Sequence, residues 1–144
     1  MDFNQIRWIE FQDIIDDRGR LTAIEESGHV PFDIKRIFYV HQVKPETNRG
    51  GHAHKDTDQL ITAVNGTLRI DVSDGKVTQT YVLDSPARGV YVPRMFWIRL
   101  YAFSDSAVCL VLASTRYDMK KSYRTWSDYL DARQLPFIDP PGGA

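Results

Sequence analysis

A chain of 144 residues has the size of one domain, and 42% hydrophobic and 26% charged residues is an ordinary globular composition. A net charge of −1 gives no field to recruit nucleic acid or an anionic membrane, so any anionic ligand must be met by locally placed arginines. No apolar run reaches bilayer length and the N-terminus shows no leader pattern. A single cysteine, Cys109, excludes an internal disulfide, so a reducing, cytoplasmic setting is expected.

Residues 3–11 (FNQIRWIEF) alternate apolar and polar positions and read as a first strand. Asp17-Arg18-Gly19 is a turn signal, and LTAIEES (21–27) reads as a short second strand. In IKRIFYVHQV (34–43) both faces are mixed, Arg36, Phe38 and Val40 on one and Ile37, Tyr39 and His41 on the other. That pattern suits a strand whose inner face lines a cavity. KPETNRGG is a loop leading into a histidine pair. A set of strands follows, with Asn65-Gly66 and Asp74-Gly75 as hairpin turns. VYVPRMFWIRLYAF is a strand pair broken at Pro93, and AVCLVLAS (107–114) is a continuous apolar strand that buries Cys109 as a small hydrophobe. After Ser114 the spacing of Tyr123, Trp126, Tyr129 and Leu130 predicts a short helix or two. Residues 136–144 (PFIDPPGGA) read as a flexible tail. About ten short strands with no alternating helices predict an all-β fold, a barrel or sandwich in a single domain over 1–144.

The chemistry concentrates in RGGHAHKDTDQLITAVNG (49–66). In a strand, His52 and His54 point the same way. The spacing to Gln59 and Gly66 is similar to the first signature of the cupin superfamily, G-x5-H-x-H-x(3,4)-E-x6-G, with Gln59 in place of glutamate. In the second-motif region (89–100), Pro93 can be laid on the motif's proline, and Ile98 then falls where a metal cupin has its third histidine. A divalent ion needs three or four good donors, and this set supplies two histidines and a neutral amide. No metal and no other cofactor is therefore expected. Two inward histidines suit proton chemistry near neutrality, with nearby donors to steady a developing oxyanion. Candidate donors are Arg49, Tyr39 and, on the early turn, Arg18 and Arg20. One or two aromatics of the cluster Tyr91, Phe96, Trp97 and Tyr101 could stack on a base or sugar.

Beyond spacing, five stretches resemble the sugar-nucleotide 3,4-ketoisomerases of deoxysugar biosynthesis, the FdtA/QdtA (WxcM-like) group of small cupins. They are DDRGRLTAIEE (16–26), PFDIKRIFYV (31–40), RGGHAHKDTDQLITAVNGTLRIDVSDG (49–75), LDSPARGVYVP (83–93) and LVLASTRYD (110–118), in the family's order. The resemblance implies a double-stranded β-helix (a cupin or jelly-roll barrel), a homodimer and metal-independent catalysis. It implies dTDP-4-keto-6-deoxy-D-glucose as substrate and the 3-keto sugar as product. It places the catalytic set on His52, His54 and Tyr39 and puts Arg49 and Arg18 in the family's motifs; Gln59, Trp97 and Arg20 complete the residues expected around the substrate. Where relatives carry a polar residue after the tryptophan, this chain has Trp97-Ile98. Two alternatives stay open at this point: a cupin that binds a nucleotide sugar without converting it, and a sugar-nucleotide 3,5-epimerase.

Overall fold

Short runs of β-branched and aromatic residues, cut by Gly, Asn, Asp and Pro, limit strand length throughout this chain. A computed structural model describes residues 1–26 and 28–143. Its strands are β1 (Arg7–Glu10), β2 (Gln12–Asp16), β3 (Gly19–Ala23), β4 (Arg36–His41), β5 (Arg49–His54) and β6 (Gln59–Asn65). They continue with β7 (Leu68–Ser73), β8 (Thr78–Leu83), β9 (Arg88–Val92), β10 (Trp97–Tyr101), β11 (Val108–Ala113) and β12 (Ser122–Tyr123). One helix, α1 (Trp126–Ala132), follows.

Ten strands form two antiparallel five-stranded sheets, in the orders β1-β9-β6-β11-β4 and β12-β5-β10-β7-β8, while β2 and β3 form a separate ribbon. Alternation puts one face of each sheet inward. Ile61, Val90 and Val111 of the first sheet meet Ile70, Val72, Ile98 and Leu100 of the second in one core. Cys109 is fully buried there, and burial pushes its thiol up to about 12, so it is packing rather than a nucleophile.

Two expectations change at the turns. Asp74-Gly75 does close a hairpin, β7 with β8. Asn65-Gly66 does not: β6 and β7 lie in different sheets, so this turn is a corner between them. The reason lies in packing that the dipeptide does not report. Gly66 has φ +64°, and a Cβ there would come 2.8 Å from the Cα of Ala107. Hydrogen bonds in both directions between Thr67 and Ser104 tie this corner to the neighbouring one between β10 and β11. Pro93 likewise sits in a crossover, since β9 and β10 belong to different sheets.

The turn expected at Asp17-Arg18-Gly19 closes the β2–β3 ribbon, with Asp16 paired to Gly19. The C-terminal stretch after Ser114 provides β12 and α1. The helix starts at Thr125, whose hydroxyl accepts from the N–H of Asp128 at 3.1 Å. It buries Trp126, Tyr129 and Leu130 on the outer face of the second sheet, against Trp97 and Ala53. The stretch from 136 is tied back where the indole N–H of Trp126 donates to the carbonyl of Ile138 at 2.8 Å, and again at Gly142, which lies against the Arg99 guanidinium.

Candidate active site

Arg49 and His52 are three residues apart, and in a regular strand an odd spacing sends side chains to opposite faces. Here both line one cavity. The cause is a bulge. Opposite β10, Ile98 pairs with His52 but Arg99 pairs with Gly50, so Gly51 is an extra residue. Gly50 and Gly51 take φ of +81° and +70°, and a Cβ on Gly50 would come 2.9 Å from the Ile98 carbonyl oxygen. Only glycine fits both demands. The double glycine before the histidines is therefore the device that turns Arg49 onto the histidine face.

His52 and His54 point inward together, while Ala53 between them packs outward under the helix. Their Nε2 atoms lie 3.1 Å apart, and the Gln59 amide lies 3.1 Å from His54 Nε2. The other nitrogen of His54, Nδ1, lies 3.2 Å from the hydroxyl of Ser122 on β12. Below the pair, the barrel floor is apolar: Phe38, Val40, Ile61, Ile98 and Val111. Ile98 thus does face the site, as its position in the second motif predicts.

Above the pair, a cavity of about 380 Å³ opens to solvent. Arg36, Arg49, Arg116, Arg124 and Lys121 stand around it, with Thr57, Thr115, Tyr117 and Ser122. None of the four arginines joins an ion pair among the described residues. Arg36 lies over the rings of Phe38 and Tyr117, and its Nε is buried with no hydrogen-bond partner. A buried, unpartnered cationic donor is costly unless something anionic meets it.

Of the site residues expected from the sequence, the structure brings together His52, His54, Arg49 and Gln59. It does not bring Tyr39, Trp97, Arg18 or Arg20 to this cavity. Tyr39 is 61% exposed on the outer face of β4, because the alternation that turns Arg36 and Phe38 inward turns Tyr39 out. Trp97 is buried on the outer face of the second sheet, 5.3 Å from the ring of Trp126. Arg18 and Arg20 sit on the β2–β3 ribbon, paired with Asp16 and Asp13. Sequence reading missed Arg36, Arg116, Arg124 and Ser122. For Arg36 a signal existed in its alternation with Phe38. For the other three, beyond the barrel strands, none did.

Electrostatics follow from this arrangement. Burial, the proximity of His52, and the guanidinium groups of Arg36 and Arg124 push His54 down to about 3. His52 is also lowered, chiefly by burial and then by Arg124 and Arg36, against a raising hydrogen bond with the Gly50 backbone. Both rings are thus neutral at pH 7 and able to accept a proton. The Hε1 resonance of His54 is expected to hold its neutral position as pH falls from 8 to below 6, and that of His52 to move only below the ordinary histidine midpoint, measured by NMR titration. The folded rings resist protonation that the unfolded chain takes up near 6.5, so their effect on stability is unfavourable below that pH and grows as pH falls towards 3. Among the described residues, no three His, Cys, Asp or Glu side chains gather into a metal-binding group.

Fold and site together define a small cupin-type barrel with paired histidines inside and arginines at its mouth. The same fold appears in the rmlC epimerase of Mycobacterium tuberculosis, with a TM-score of 0.76 at 16% identity over 94% of this chain and 91% of that one. Residues 4–134 match the family model FdtA, described as WxcM-like, C-terminal, and the chain belongs to that family. A TDP-4-oxo-6-deoxy-alpha-D-glucose-3,4-oxoisomerase of Aneurinibacillus thermoaerophilus is 43% identical over 121 residues, 84% of this chain and 87% of that protein. A crystal structure of the 3,4-ketoisomerase QdtA from Thermoanaerobacterium thermosaccharolyticum superposes with a TM-score of 0.88 at 33% identity. It covers 96% of this chain and all of that one, and shows a histidine-to-asparagine mutant in complex with TDP-4-keto-6-deoxyglucose.

Proposed function

We infer that this chain is a sugar-nucleotide 3,4-ketoisomerase acting on dTDP-4-keto-6-deoxy-D-glucose. The observation that carries the reading is the pair of neutral, half-buried histidines under a ring of unpaired arginines. The arginines are suited to a diphosphate, which bidentate guanidinium groups hold well. The cavity between them and the histidines, about 380 Å³, has room for a sugar.

The reaction is an internal redox exchange. His52 takes the proton from C3, and the electron pair forms an enediolate across C3 and C4 whose charge rests on the C4 oxygen. His54 and Arg49 are the donors that steady this charge. The C3 hydroxyl's proton passes to the C4 oxygen, a proton returns to C4, and the carbonyl now stands at C3. C3 is oxidised as C4 is reduced, so no outside oxidant or reductant enters. Gln59 and Arg49 hold the substrate. The apolar wall formed by Ile98 offers no proton, so reprotonation at C4 comes from the histidine side.

The protein is also proposed to be a homodimer. Ile14, Ile15 and Leu21 on the β2–β3 ribbon, and Ile37 and Tyr39 on the outer face of β4, are all exposed by about half or more. β4 is the last strand of its sheet, and the ribbon pairs with nothing else. A cytoplasmic location fits this reading, since a lone buried thiol asks for no oxidising compartment. Among the described residues no helix is long and apolar enough to cross a membrane.

Proton NMR of the protein with dTDP-4-keto-6-deoxyglucose in deuterated buffer tests the activity. A 3-keto product with deuterium at C4 is expected. TDP binding with an unchanged sugar spectrum would replace the enzyme by a nucleotide-sugar-binding cupin, and wash-in at C5 would replace it by an epimerase. Sedimentation velocity, with a monomer expected for an Ile15→Asp, Leu21→Asp variant, tests the dimer.

A further inference from the structure

Alternation along β10 sends Trp97 and Arg99 outward and Ile98 and Leu100 inward. Next to them on β5, Gly50 has no side chain to fill the space. The result is a second, inner cavity of about 100 Å³ beneath the histidine pair. Its far wall is Ile61, Ile98, Leu100 and Val111, each 7% exposed or less. Phe38, Arg49 and His52 line both cavities and so mark the junction between them. Gln59 stands at the edge, with its amide nitrogen engaged at 3.1 Å by His54 Nε2. An apolar cavity of ~150 Å³ admits a benzene ring. The inner cavity is smaller than that, so a substituted pyranose does not enter it, but a methyl group does.

On the reading of the substrate as a dTDP-4-keto-6-deoxyhexose, C1 carries the diphosphate. With the diphosphate at the arginines of the mouth, C1 faces outward and C4, opposite it in the ring, faces inward. The groups at the inner end are then the C3 hydroxyl, the C4 carbonyl and the methyl on C5. The first two belong at the junction with His52 and Arg49, where protons move. The methyl is the apolar substituent of the ring, and the inner cavity is the apolar space beside His52.

We propose that this inner cavity is a methyl subsite, and that Ile98, with Ile61 and Val111, makes the protein selective for 6-deoxy sugars over their 6-hydroxy counterparts. A 6-hydroxyl placed there would lose its water and face aliphatic side chains with no donor or acceptor. The isoleucine at the second-motif position completes a hydrocarbon wall that a polar residue there would break.

The test compares the affinities of the full chain for dTDP-6-deoxy-D-glucose and dTDP-D-glucose by calorimetry. Both lack the 4-keto group, so neither is turned over. Wild type should bind the 6-deoxy ligand ~10–100-fold tighter, the range in which an apolar pocket rejects an added hydroxyl. Ile98→Asn should bring the ratio to about threefold or less by offering the hydroxyl a partner, with TDP affinity held within about twofold. Val111→Thr, nearly isosteric and on a different strand, should narrow the ratio in the same direction, and it reads the same wall if the asparagine variant does not fold. Equal affinities in wild type overturn the proposal. So does a wild-type preference that survives the substitutions in this wall. If the preference behaves as expected but no keto-sugar is turned over, the methyl subsite stands and the isomerase reading fails.

Discussion

Replacing His52 by asparagine is expected to lower kcat by about 10³-fold, within the range that a positioned general base contributes, and to change TDP affinity by no more than about twofold. Asparagine keeps a polar group of similar reach next to His54 but has no nitrogen able to take a proton at neutral pH. The groups suited to hold the nucleotide, Arg36, Arg116 and Arg124, come from β4 and from the segment after β11, so their positions do not depend on the His52 ring. Single-turnover kinetics alongside TDP titration by calorimetry separate the two effects. Retained turnover would remove His52 from the reaction. A parallel collapse of TDP affinity would show that the variant disturbed the bulge at Gly50-Gly51 and not only the chemistry.

The second large effect lies outside the barrel. Trp126→Ala is expected to cost about 3–5 kcal/mol, the range for emptying a buried aromatic site. Trp126 is 8% exposed, with ring centres 5.3 Å from Trp97 and 5.6 Å from Tyr129, and its indole N–H holds the Ile138 carbonyl. The cluster it belongs to is separate from the core between the sheets. Loss should therefore loosen α1 and β12 first and leave the barrel standing. Because β12 carries Ser122 to His54, and Tyr129 holds the Met95 carbonyl while the Met95 N–H holds that of His54, activity should fall before the barrel melts. Urea unfolding followed by near-UV and far-UV circular dichroism, with kcat measured at each concentration, reads this order. A single transition with kcat lost only at that midpoint would mean that the helix and barrel form one cooperative unit.

Part of the site is legible along the chain. His52 and His54 could be placed together because a period of two is a local property of any strand, and Gln59 and Gly66 fell at recognisable spacings from them. Arg49 was named for its proximity in sequence, but the reason it reaches the site is the bulge, which appears only when β5 is laid against β10. Tyr39 was chosen from the right strand and the wrong face. Its neighbours Arg36 and Phe38 are the inward pair, and an amphipathic strand with two mixed faces gives no local sign of which one is buried. Trp97 misled for a related reason: an aromatic beside a motif can pack on either side of a sheet, and here α1 covers its outer side.

The all-β class, the strand-bound histidine pair and the family can be read along the chain, because alternation, turn residues and motif spacing are written within a few residues of each other. Tertiary structure decided the rest. The Asn65-Gly66 turn became a corner between sheets, since a dipeptide records local backbone angles and not which strand will lie alongside. The arginines at positions 36, 116 and 124 met across the mouth of the barrel, and Ser122 met His54 across 68 residues of chain, through pairings that no local pattern encodes.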